Sequence, residues 1–82
     1  MSKIVEIHGI EWRFDDIRKN IEWAKKQSWK LKKYHKRNDH DHCLVCFWTI
    51  FKTEDEASGE AYFLGGSSWL CKECYEKFIG NL

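Results

Sequence analysis

The sequence predicts an α+β fold, and three observations carry the prediction. A short alternating run opens the chain, a long stretch of helical period follows it, and two aromatic, β-branched runs lie between two C-x-x-C pairs. The first pair is Cys43 and Cys46, the second Cys71 and Cys74. At 82 residues the chain reads as one domain over 1–82, with a strand and long basic helix in 1–42 and a cysteine module in 43–82. A domain of this size buries only about 60% of the surface its unfolded chain exposes, so its core needs a staple.

Each element has its own signal. Residues 3–8 alternate Lys, Ile, Val, Glu, Ile and His, the period of a strand, and Gly9 ends the run. Phe14, Ile17, Ile21, Ala24, Ser28, Leu31 and His35 then recur at steps of three and four, which predicts a helix over about 15–36. Its charge order fits the helix dipole, with Asp15 and Asp16 at the start and Lys32, Lys33, Lys36 and Arg37 at the end. Residues 38–42 have no apolar period and read as a linker. Residues 47–51 and 61–64 are expected to pair as an antiparallel hairpin across the acidic loop 54–59, with the first strand available to extend that pair into a small sheet. Gly65-Gly66 predicts a tight turn, and the chain returns through Ser67, Ser68 and Trp69. A short helix over about 70–79 completes the fold, stopped by Gly80-Asn81.

The cysteine spacing points to metal. Two cysteines separated by two residues fold a tight turn that aims both sulfurs at one point, so two such pairs supply a tetrahedron. The 24 residues between Cys46 and Cys71 leave room for a hairpin to bring the pairs together. Cys43, Cys46, Cys71 and Cys74 are therefore the expected ligands of one structural Zn²⁺ per chain, with iron the alternative for a four-thiolate set. His40 or His42 replacing a cysteine, a catalytic dithiol, and buried thiols as core filler are the weaker readings. Four thiolates close the site, which argues against an enzyme. A zinc deaminase needs an H-x-E triplet that neither His8-Gly9-Ile10 nor His42-Cys43-Leu44 supplies.

Cys43-Leu44-Val45-Cys46, a hairpin, and then Trp69-Leu70-Cys71-Lys72-Glu73-Cys74-Tyr75 opening a helix resemble a treble-clef zinc finger, broadly of the GATA and LIM types. The resemblance covers residues 43–80. It implies a knuckle at the first pair, a helix start at the second and ligand roles for the four cysteines. It leaves function open, because one scaffold hosts many sites. A nuclease of the His-Asn-His kind needs a histidine in the final helix, and no histidine follows His42. Glu54, Asp55, Glu56, Glu60, Glu73 and Glu76 make this half a poor partner for phosphate.

Charge divides the chain. Residues 1–42 carry 11 Lys/Arg against 7 Asp/Glu, and residues 43–82 carry 3 against 6, within a net charge of +1. Between Arg18 and Arg37 nine basic side chains meet one acid, Glu22. A solvated helix face explains such a run as well as a binding surface does. Trp23, Trp29 and Tyr34 lie off the apolar stripe near Lys26, Lys30 and Lys33, so these six residues are the candidate partner contacts. Another protein is the expected partner, with RNA or DNA on the basic helix 18–37 as the alternative. No small-molecule substrate, membrane span or signal peptide is expected, which makes the cytoplasm the default compartment.

Overall fold

The computed structural model describes residues 3–66 and 68–80. Ser67 and Asn81, to which the sequence assigns a return segment and a helix stop, lie outside the described residues. The architecture is mixed α/β, built of small sheets and short helices. Strand β1 (Ile4–Ile7) pairs antiparallel with β2 (Ile10–Arg13), joined by His8-Gly9. Both turn residues have positive φ, 51° and 75°, the backbone that lets a two-residue turn follow the strand twist. The expected first strand is thus half of a hairpin of its own and joins no other sheet.

Helix α1 (Phe14–Lys25) follows without a break, and the Phe14 N–H donates to the Lys3 carbonyl at 2.8 Å. Ile17, Ile21 and Ala24 form its buried face, as their spacing requires. The helix stops at twelve residues, not the 22 expected from 15–36. The Trp29 indole N–H turns back to the Ala24 carbonyl at 2.8 Å, satisfying one of the acceptors a helix end leaves open. Beyond Ala24 the supposed stripe held one aliphatic residue, Leu31, between Ser28 and His35, too little to bury against anything. Lys30–Lys33 instead form β3, whose backbone bonds go to a neighbouring strand. Leu31 stays 51% exposed there.

Next come β4 (His40–His42) and β5 (Thr49–Phe51), which pair antiparallel, so the expected linker 38–42 is partly strand. A four-residue helix α2 (Glu56–Gly59), capped by the Asp55 carboxylate accepting from the Ala57 N–H at 2.9 Å, leads into β6 (Glu60–Gly65). Then follow β7 (Ser68–Leu70), α3 (Lys72–Cys74) and a π-helical turn over Tyr75–Ile79. β6 is the centre of a three-stranded sheet in the order β3-β6-β7. The expected pairing of 47–51 with 61–64 is therefore replaced: β5 takes β4, and β6 takes β3 and β7. The alternation in each run was real, with Ile50 fully buried between exposed Thr49 and Phe51, but alternation names a face and not a partner. Gly65 ends β6 and pairs with Ser68, so of the expected Gly65-Gly66 turn Gly66 alone lies between the strands; the two glycines have φ 139° and 58°.

Two cores result. Ile7, Ile17, Ile21, Ala24, Val45, Leu70 and Ile79 surround the four cysteines. Tyr34, Ile50, Ala61 and Trp69 form a smaller core on the other side of the β3-β6-β7 sheet. Each fully buried aliphatic side chain contributes about 1.5–3 kcal/mol over an exposed one. Among the described residues no helix is long and apolar enough to cross a membrane.

Candidate metal centre

The centre is assembled by two local turns and one long-range contact. Cys43 closes the β4–β5 pair: its N–H donates to the Trp48 carbonyl at 2.9 Å, and its carbonyl accepts the Phe47 N–H at 3.0 Å. The Val45 N–H points at Cys43 Sγ, 3.4 Å away. The turn requires a left-handed residue after Cys46, and Phe47 fills that place at φ 61°. At the second pair Cys71 is the residue before α3, with extended backbone, and its Sγ accepts the Cys74 N–H at 3.4 Å. The turns meet because Leu44 N–H donates to the Trp69 carbonyl at 2.8 Å, pinning the first cysteine pair beside β7.

All four Sγ atoms lie within 4.8 Å of one another, and Cys46 and Cys71 approach to 3.6 Å. No disulfide links them; a bond would need about 2.05 Å. A metal with four thiolates at about 2.3 Å has sulfur–sulfur edges of roughly 3.8 Å, so the cluster has the dimensions of one tetrahedral site. The sulfurs are also sealed: Cys43 and Cys71 are fully buried, Cys74 is 1% exposed and Cys46 9%. Neither His40 nor His42 belongs to the cluster, and their imidazoles meet edge to face on β4 with centroids 4.9 Å apart.

Without a cation such a cluster holds its protons unevenly. Cys43 is pulled far below the usual thiol range because Cys46, Cys71 and Cys74 all hydrogen-bond to it. Cys71 and Cys74 are pushed far up, first by hydrogen bonding to Cys43 and Cys46 and further by burial. A divalent cation at their centre reverses that balance and lets all four ionise. The donor set therefore fits one bound metal ion.

Around the centre the N-terminal hairpin is clamped to the metal module. The His8 imidazole stacks on the Trp48 indole, with centroids 3.8 Å apart and planes inclined by 12°. The His8 N–H donates to the Glu73 carboxylate at 2.6 Å, inside the second C-x-x-C. Lys77 pairs with Glu73 at 3.2 Å and also donates to the Glu6 carbonyl. Burial alone would raise the Glu73 pKa, but the His8 N–H and the Lys77 ammonium outweigh it and the net shift is downward. Asn20 of α1 donates to the Leu44 carbonyl at 3.2 Å. Sequence reasoning missed this ring of contacts. Only the His8-Gly9 turn dipeptide and the Glu73–Lys77 spacing of four hinted at it.

The six candidate partner contacts do not share one helix face. Trp23 and Lys26 are exposed at the end of α1, with Trp23 44% exposed and edge-on to Trp29 at 6.4 Å. Trp29 is half-buried against the core, and Lys30 and Lys33 are exposed on β3. Tyr34 is 3% exposed, and its hydroxyl donates to Asp41 at 3.1 Å. Burial and that bond push its pKa up to about 12. Comparison of the chain with protein families, curated proteins and solved structures found no match.

Proposed function

We propose that this chain is a non-enzymatic binding module whose four cysteines hold one structural Zn²⁺. The observation that carries the reading is the closed set of four buried sulfurs at tetrahedral spacing, which leaves no coordination position for water or substrate. Zinc is the metal of choice because it accepts four thiolates in a tetrahedron without redox chemistry. The order of parts supports a treble-clef reading: a cysteine knuckle, a β-hairpin of β6 and β7, and a helix opened by the second pair. Four unpaired thiols suit a reducing compartment such as the cytoplasm.

A module without a reaction acts through what it binds. Two of the three rings that suggested a protein partner, Trp29 and Tyr34, are engaged inside the fold, so that reading now rests on Trp23. The basic residues of 30–37 keep their exposure.

The test is native mass spectrometry with metal analysis before and after a strong chelator. One zinc per chain, lost together with the folded charge states, is the expected result, since structural zinc supplies on the order of 10 kcal/mol in small domains. Cys46→Ser and Cys71→Ser are expected to abolish stoichiometric zinc. A folded, metal-free chain with paired thiols would overturn the reading.

A further inference from the structure

We propose that the face formed by β3, the chain that follows it to Arg37, the half-buried ring of Phe63 and the exposed ring of Phe51 binds single-stranded nucleic acid. Phosphates would sit on the lysines and bases on the rings. The proposal rests on the folded, zinc-loaded binding module described above and names its partner.

Two adjoining clefts carry the argument. The first, about 110 Å³, has an aromatic floor of Tyr34, Phe63 and Trp69 and a rim that includes Lys32, Lys33 and Lys36. Among the described residues no carboxylate lines it. The Lys32 ammonium lies 4.8 Å from the Phe63 ring centroid, so what covers that ring face is a cation on a flexible stem. An arriving base takes the place of the ammonium over the ring, and Lys32 moves to the neighbouring phosphate. The second cleft shares Lys36 and runs past His40 and Thr49 to Phe51 and Lys52, with Asp39 its one carboxylate. Phe51 is 40% exposed. A further hollow continues from Lys52 to Arg37, with Glu54 on its wall. The half-buried Phe63 ring and the exposed Phe51 ring, each flanked by cations and joined through Lys36, make a stacking platform inside a positive groove, the combination that holds single strands without reading sequence.

Charge sets the limits of the track. Glu54, Glu56 and Glu60 gather around the next hollow, beyond Lys33, and would turn a phosphate chain back toward Lys36. Lysines on the edge strand β3 also discourage pairing with another chain. That duty requires neither the exposed Phe51 ring nor Lys36, Arg37 and Lys52, which lie outside the strand. Base faces are hidden in a duplex, so the rings select single strands.

The experiment uses the full zinc-loaded chain and a fluorescein-labelled oligouridylate of about ten nucleotides, read by fluorescence anisotropy, with metal content measured on the same sample. Binding is expected, weakening roughly 20-fold between about 50 and about 200 mM salt if three phosphates are held. The K36E/K52E double variant is expected to bind at least about tenfold more weakly, and Phe51→Ala roughly 5- to 100-fold more weakly with its salt dependence kept. The double variant K19E/K25E, which makes the same charge change on exposed residues of α1, is expected to bind like the parent. A zinc-loaded chain that ignores the oligonucleotide overturns the proposal and leaves the zinc reading standing. So does equal loss in K19E/K25E, or equal affinity for duplex RNA or for polyglutamate. A chain that carries no zinc is instead a failure of the zinc reading, and the metal analysis shows it directly.

Discussion

His8 lies flat on Trp48, with ring centroids 3.8 Å apart, and this stack joins the N-terminal hairpin to the turn that carries Cys43 and Cys46. The same residue donates its N–H to Glu73, between Cys71 and Cys74, so one turn residue braces both halves of the metal centre. Stacked rings are worth about 0.5–1.5 kcal/mol beyond the area they bury. His8→Ala is expected to lower stability by about 1–2 kcal/mol while leaving one metal ion per chain. His8→Gly loses the same stack but relieves the positive φ of 51°, so it is expected to fall between Ala and the parent. Urea denaturation of the metal-loaded proteins orders the three. Ala and Gly of equal stability would show that the backbone at His8 carries no strain.

Phe47 combines two unfavourable features, a φ of 61° and a ring 64% exposed. The left-handed backbone costs a side chain roughly 1–2 kcal/mol, and little burial is lost when the ring goes. Phe47→Gly is expected to leave stability unchanged or raise it by about 0.5–1 kcal/mol after the greater entropy of unfolded glycine is counted. Thermal melts decide it. A fall of several degrees would mean that the ring holds the first cysteine turn in place.

Tyr34 makes stability depend on alkaline pH. Its pKa is raised from 10.0 in the unfolded chain to about 12 by burial first and by the bond to Asp41 second. A raised folded pKa means that the contribution is complete below pH 10 and is lost as pH climbs through 12, by at most about 1.4 kcal/mol per pH unit. Tyr34→Phe is expected to cost about 1 kcal/mol at neutral pH and to flatten the decline over that window. Denaturant titrations across pH 9 to about 12 compare the slopes, and parallel slopes would remove Tyr34 from the account.

Gly59 is required by space. A Cβ there would stand 2.1 Å from the Thr53 carbonyl oxygen, a backbone atom that cannot swing aside. The Gly59 carbonyl also accepts the Tyr34 N–H at 2.9 Å, just past the paired residues of β3 and β6. Gly59→Ala is expected to destabilise by about 1–3 kcal/mol. Hydrogen exchange at the amides of β3 should accelerate more than at those of α1. Uniform exchange would mean that the loop yields without disturbing the strand.

The sequence by itself determined the local turn of each cysteine pair, while the meeting of the two pairs rests on the long-range bond from Leu44 to Trp69. Two C-x-x-C pairs are local turns, and their geometry follows from spacing and a few backbone bonds, whatever the rest of the chain does. The buried face of α1 was legible for the same reason, since Ile17, Ile21 and Ala24 are neighbours on any helix. The positive φ of Gly65 and Gly66 at the end of β6 was legible from the glycines themselves. Only tertiary structure decided the fate of residues 30–33, which the helical period of the sequence places inside a helix. Strand won because β6 had an edge free to bond, while a continued helix would have presented Ser28 and His35 to a core with no use for them. Strand partners were equally out of reach, because alternation says which side of a strand is buried and nothing about the strand beside it. The stack of His8 on Trp48 joins residues 40 positions apart, and no local propensity records a contact at that distance.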